Sequence, residues 1–372
     1  MKRIVLLILM LLIVLSSSSL DVNAKSTKQN EYHEVAYRFF NSLSSFKEEW
    51  SEASIEETIK LRGDFDAERG YLYRVYDNEQ QKGYIVVTHL NNKIQVTEAT
   101  FTGKDPIIEN HKKNYYIAPF GFYTKDEYNK IISSLNEIIN PDSNDNVTEI
   151  PILRDIWPWT NPLDEKYLVP IPDDLYYTFS GSFHTEQKIL ETPEYFNFSY
   201  GPVNNGCGPT TAAMLTSFFD RIALPNLVAG TLPLQHSDNK LAVDNHIILM
   251  ADYLNTCNDM EGDLTDGANC TGTYYNDAKS GLNQYFGDRG YSEYDAYYNT
   301  NLSDYSKVIS AGNPVYLRLS TTGGGHAVLG IGQGSAYPGD NFLIVRYNWT
   351  TRDGEYWVAQ DEFNGFVYLS RG

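Results

Sequence analysis

The chain has 372 residues, a formal net charge of -19, 29 tyrosines and three cysteines. So acidic a protein is a poor partner for nucleic acid or an anionic membrane surface, which excludes both classes of ligand. Its length allows two domains.

Lys2 and Arg3 precede the apolar run Ile4 to Leu15, and Val22-Asn23-Ala24 offers the small residues of a signal-peptidase site. Residues 1–24 therefore read as a signal peptide. The apolar run is short for a membrane span, and no cysteine before Cys207 could carry a lipid. The mature chain is expected to be secreted and to leave the membrane once cleaved.

Residues 25–146 carry no catalytic signal. Val35, Phe39 and Leu43 recur four apart and predict an amphipathic helix over Tyr32 to Phe46. Strands are predicted at Tyr71 to Tyr76, Gly83 to Thr88 and Lys93 to Phe101, with Asn91-Asn92 as a two-residue hairpin turn. Ile131, Leu135 and Ile138 predict a further helix over Tyr128 to Ile139. Asn140 to Asn146 reads as an exposed linker and a domain boundary. Residues 147–179 form a connector rich in Pro and Trp, and a last domain is expected over 180–372. The fold class read from this order is α+β, a small α+β unit followed by a larger one.

The chemistry is concentrated in the last domain. Gly206-Cys207-Gly208-Pro209-Thr210-Thr211 reads as a loop that delivers a thiol to the start of a helix, whose apolar face is Met214, Leu215, Phe218 and Phe219. Pro209 suits a first helical turn, and the helix dipole would favour the thiolate. Cys257 and Cys270 frame a polar loop and are the disulfide candidates in an exported chain of three cysteines; Cys207 is then the odd thiol. His184, His236 and His246 lack ligand spacing, and the acidic cluster Asp259, Glu261, Asp263 and Asp266 lacks the glycine of an EF-hand, so no metal is expected.

Gly323-Gly324-Gly325-His326 enters the apolar strand Ala327 to Gly332, and Phe342 to Tyr347 forms a second strand ending at Asn348-Trp349. If Gln333 faces Asn341 in this hairpin, His326 faces Asn348, close enough for the amide to orient the imidazole. Cys207, His326 and Asn348 then make a nucleophile, a base and an orienting group.

The segments GCGPTTAAM and GGGHAVLGIG, followed by a strand ending in Asn-Trp, resemble the papain-like cysteine peptidases. They are most similar to the bacterial branch related to the peptidases that process double-glycine bacteriocin leaders. The resemblance covers about the last half of the chain. It implies Cys207 as nucleophile, His326 as general base and acid, and Asn348 as the orienting residue, where many members of the branch have Asp. It also implies a Gln five or six residues before the cysteine as oxyanion donor. Those positions hold Pro202 and Gly201 here, so Asn204 or Asn205 is the substitute candidate. Loss of such a donor costs ~2.7–4 kcal/mol of transition-state stabilisation. The N-terminal unit, through Gly83-Tyr84-Ile85-Val86-Val87, resembles the cystatin-like pro-segments of streptopain-type peptidases. The implied protein is a secreted monomeric peptidase without cofactor, acting on peptides or proteins and made as a zymogen, with residues 25–146 as inhibitory pro-segment or attached accessory domain. Two rival readings keep the scaffold. One passes the acyl group to an amine; the other is a non-catalytic binding protein.

Overall fold

The structure, a computed structural model, describes residues 29–133 and 165–371 apart from 64–66, 92, 104, 106, 108–112, 117–121, 126–130, 183, 197–205, 257–272, 322–323, 337–338 and 349–353. The first helix, α1, spans 29–43 and buries Tyr32, Ala36, Phe39, Phe40 and Leu43 while Glu31, Glu34 and Arg38 face solvent. That is the amphipathic face its spacing predicts. Strands β1 (Ser54–Arg62), β2 (Glu68–Asp77), β3 (Gln80–Leu90) and β4 (Lys93–Thr100) follow as an antiparallel meander. Leu90 pairs with Lys93, so the β3–β4 turn has two residues, and Asn91 has the positive φ of 50° that such a turn needs.

Beyond β4 come β5 (Lys113–Tyr116), parallel to β1, then β6 (Phe122–Lys125) and β7 (Ile131–Ser133). The last of these corrects the helix expected over Tyr128 to Ile139. Ile131-Ile132 is a β-branched pair that suits a strand, and an available β6 edge outweighs the helical spacing. The expected linker at Asn140 to Asn146 and the start of the connector lie outside the described residues.

The remainder of the chain contributes β8 (Tyr176–Ser180), β9 (His184–Ile189), α2 (Cys207–Ile222), α3 (Lys240–Tyr253), α4 (Tyr275–Asp288), β10 (Tyr294–Asn299) and α5 (Leu302–Ser310). It ends with β11 (Val315–Thr321), β12 (Gly324–Ala336), β13 (Asp340–Arg346), β14 (Glu355–Ala359) and β15 (Phe363–Arg371). The fold is mixed α/β. Its helical part, α2 with α3 and α4, lies against β11 and β12.

Two expected units share one sheet. Its strand order is β10-β15-β11-β12-β13-β14-β4-β3-β2-β1-β5-β6-β7, with β9 on β12 and β8 on β9. The seam is the antiparallel pairing of Thr100, Ala99 and Glu98 with Tyr356, Trp357 and Val358. Phe39 of α1 crosses that seam, its ring 5.3 Å from Phe342 and 6.4 Å from Trp357. Lys47 crosses it too. Its Nζ donates to Glu186 Oε1 at 2.8 Å and Glu355 Oε1 at 3.1 Å, and Lys188 Nζ donates to Glu355 Oε2 at 2.8 Å. Two lysines and two glutamates thus close a buried, electrically balanced cluster. Burial of such charges is tolerable only when each finds its counter-charge.

Candidate active site

Helix α2 is unusual in being buried on almost every side, from Gly208 to Phe219. Small residues make this possible: Thr210, Thr211, Ala212 and Ala213 let the sheet and α3 approach closely. Gly206 is its N-cap and Cys207 its first residue. Pro209 therefore stands third in the helix, still within the first turn, where no N–H is required. Gly208 cannot carry a side chain, since a Cβ would stand 2.2 Å from Thr273 Oγ1 and 2.8 Å from the Tyr316 hydroxyl.

The hairpin register differs from the expected one. Ala336 pairs with Asp340, so the loop is only three residues long, and a bulge at Ile331 shifts the register before Leu329 pairs with Arg346. The ladder ends there. His326 faces Leu319 on β11 instead of Asn348. A longer loop, closed by Gln333 and Asn341, is expected from its glycines and proline, yet Gly334 lies within the strand. Its missing side chain admits Trp357, whose ring would be 2.7 Å from a Cβ there.

Asn348 nonetheless reaches both halves of the site. It is fully buried, and its Nδ2 donates to Cys207 O at 2.8 Å, Thr211 Oγ1 at 2.7 Å and Ala327 O at 2.9 Å. Two carbonyl oxygens demand an NH2 group at this point, which fixes the orientation of the amide. Thr211 Oγ1 in turn donates to Cys207 O at 2.8 Å. One amide thus ties the first turn of α2 to the residue after His326. Asn348 Oδ1 is buried with no hydrogen-bond partner among the described residues.

Cys207 is a free thiol. Burial pushes it up, against the pull of the Ala327 and Gly208 backbone N–H groups and of the Arg318 charge. Burial holds the His326 imidazole down, at about 4. Both residues are only half-buried by exposed area, so this is the desolvation of a cleft wall. Burial thus opposes the thiolate that the helix dipole favours and the protonated form of the imidazole. The Tyr347 ring lies 5.5 Å from the His326 ring and covers it on one side.

The remaining sequence candidates fall into two groups. Asn204, Asn205, Cys257, Cys270 and Trp349 lie outside the described residues. His236 and His246 have structural roles. His236 Nδ1 accepts from Phe196 N at 3.0 Å and Nε2 meets Asp244 Oδ1 at 3.0 Å, while His246 Nε2 meets Thr216 Oγ1 at 2.8 Å. Thr211, Tyr316 and Arg318 were not singled out from the sequence. Thr211 had a usable signal, a hydroxyl four residues after the cysteine that can bond back to its carbonyl. Tyr316 and Arg318 become neighbours of Cys207 only through the packing of β11 on α2.

Residues 189–369 match the model of the Peptidase_C39 like family. The match supports a cysteine peptidase. It runs from the end of β9 to β15 and contains Cys207, His326 and Asn348. No curated protein and no solved structure matches the chain.

Proposed function

We propose that the protein is a secreted, papain-like cysteine peptidase that cleaves peptide bonds through Cys207, His326 and Asn348. The observation that carries this reading is the Asn348 amide, which joins Cys207 to the strand of His326 within the family match. In the proposed cycle the neutral imidazole takes the Cys207 proton as sulfur attacks the peptide carbonyl. The same proton goes to the leaving amine. Water, deprotonated by His326, then releases the acyl group. The backbone N–H of Cys207, at the N-terminus of α2, is one oxyanion donor; Asn204 or Asn205 is the candidate for the other. The chain is exported and cleaved near Ala24, and the mature chain acts as a monomer without cofactor.

For residues 25–146 we favour the attached accessory domain over the removable pro-segment. The support is the β4–β14 pairing together with Lys47, whose loss would leave Glu186 and Glu355 sharing one lysine. A thiol-reactive peptide probe tests the nucleophile. Labelling of Cys207 that disappears in Cys207→Ala is expected. A folded protein that no such probe labels would return the reading to a non-catalytic scaffold.

A further inference from the structure

The cation whose charge bears on the thiol has no role in the cycle just described. Arg318 lies on β11 directly opposite Ala327 on one side and Gly365 of β15 on the other. Directly opposed residues share a face, so the guanidinium rises between a methyl group and a missing side chain. Gly365 has φ 149°, and a Cβ there would stand 2.9 Å from the Tyr298 ring and 3.0 Å from the Tyr275 hydroxyl. Its absence lets both rings come beside Arg318. The Arg318 guanidinium carbon sits 5.1 Å from the centre of the Tyr275 ring, and the Tyr275 and Tyr298 rings are 4.1 Å apart. Tyr316, two residues earlier on the same strand and face, brings its hydroxyl against Gly208, next to the nucleophile. Arg318 is half-buried and forms no ion pair among the described residues.

Four other buried or half-buried cations contrast with it. Lys47, Arg74, Lys188 and Arg346 each hold at least one carboxylate. Arg289, half-buried with its guanidinium carbon 5.2 Å from the centre of the Tyr285 ring, shares with Arg318 the lack of a carboxylate among the described residues; of the two, Arg318 is the one whose charge bears on Cys207. A guanidinium kept partly out of water, held flat by an aromatic ring and left without a carboxylate among the described residues is a prepared acceptor site for one.

We propose that Arg318 recognises a carboxylate of the peptide substrate beside the scissile bond. The proposal rests on Cys207 as the nucleophile only for its location; the binding itself needs no chemistry. The overall charge of -19 does not oppose this, because contact with one desolvated cation acts at short range while the distant charges are screened beyond ~8–10 Å.

The test uses the full chain carrying Cys207→Ala and three blocked alanine peptides: one with a single Asp, its Asn twin, and the Asn twin with a free C-terminal carboxylate. Calorimetry should show the Asp peptide or the free acid binding ~10- to 100-fold tighter than the blocked Asn peptide. Which of the two is preferred tells a side-chain carboxylate from a terminal one. Adding Arg318→Gln should bring the ratio to about 1, whereas Arg318→Lys should keep part of it. An arginine-specific dicarbonyl needs no further substitution: the preferred peptide should protect Arg318 from modification, read by mass spectrometry. Equal binding of all three peptides, or a preference that survives Arg318→Gln, would overturn the proposal. Neither result bears on probe labelling of Cys207, so the two readings fail separately.

Discussion

The N-terminal region and the region around Cys207 treat charge in opposite ways. In the former, Arg74 is almost wholly buried and is held by Asp105 at 2.5 Å and Glu57 at 2.7 Å. Buried Glu98 accepts from the Tyr84 hydroxyl and, at 3.2 Å, from that of Tyr116. Arg74 and Glu98 thus each have partners that fix them. Around Cys207 burial opposes the charged forms of the thiol and the imidazole, and among the described residues Arg318 stands without a carboxylate and Asn348 Oδ1 is an unused acceptor. Polar groups whose partners are missing mark the places where a substrate can supply them. The contrast can be broken at either end.

The largest effect is expected at the base. His326→Ala should lower turnover by ~10³-fold or more with the fold retained, since members of such a unit fail together. Turnover within a few-fold of the parent, in a variant with unchanged circular dichroism, would remove His326 from the mechanism.

Asn348→Asp should come next. The NH2 group faces the carbonyls of Cys207 and Ala327, and a carboxylate there would meet two acceptors while buried. A loss of ~3–5 kcal/mol is expected in urea unfolding. Asn348→Ala should cost less, because it leaves only unsatisfied carbonyls. The reverse order would show that the amide is not a clamp.

The site was legible in the sequence as residue types and only partly as geometry. Cys207 before a run of small helical residues and His326 after a glycine-rich loop each carry a local signal. The role of Asn348 does not, because it depends on the bulge at Ile331 and on a carbonyl 141 residues away. The meander β2 to β4 was readable from its strand-forming runs and from the Asn91-Asn92 turn, since its contacts are between neighbours in sequence. The seam was not. Nothing local in Glu98 to Thr100 says that their partners are Tyr356 to Val358, and β7 was misread because its helical spacing competed with a sheet edge that only tertiary structure provides.

Lys47→Met tests the other side of the comparison. With one lysine left for Glu186 and Glu355, a cost of ~3–5 kcal/mol is expected. If the N-terminal region is integral, the loss should appear as a single cooperative unfolding transition at lower temperature. Two separate calorimetric transitions in the parent protein would show instead that the halves fold independently.

The pH profile follows from the imidazole. With His326 held at about 4 by burial, kcat/KM should rise through pH 4 and be level by pH 6, as the neutral base forms. An acid limb near the ordinary histidine value of ~6.5 would mean that His326 is better hydrated than its burial implies.

The smallest effect belongs to the seam. Glu362, in the turn Gln360–Glu362, is pushed up to about 7, first by burial and then by Asp361 and Glu98, against the pull of Arg69. The same turn meets the N-terminal meander: Asn91 and Gln95 donate to Asp361 at 3.2 and 3.1 Å. A carboxyl raised in the folded state, from about 4.5 when unfolded, binds its proton more tightly folded than unfolded. Its contribution is therefore complete below pH 4.5 and is lost as pH rises through 7. Glu362→Gln keeps the neutral shape at every pH. The variant should match the parent in melting temperature at pH 5 and exceed it at pH 8.5. A parent whose melting temperature does not fall relative to the variant between those values would mean that Glu362 ionises freely. The seam would then be open to water at the point where β4 joins β14.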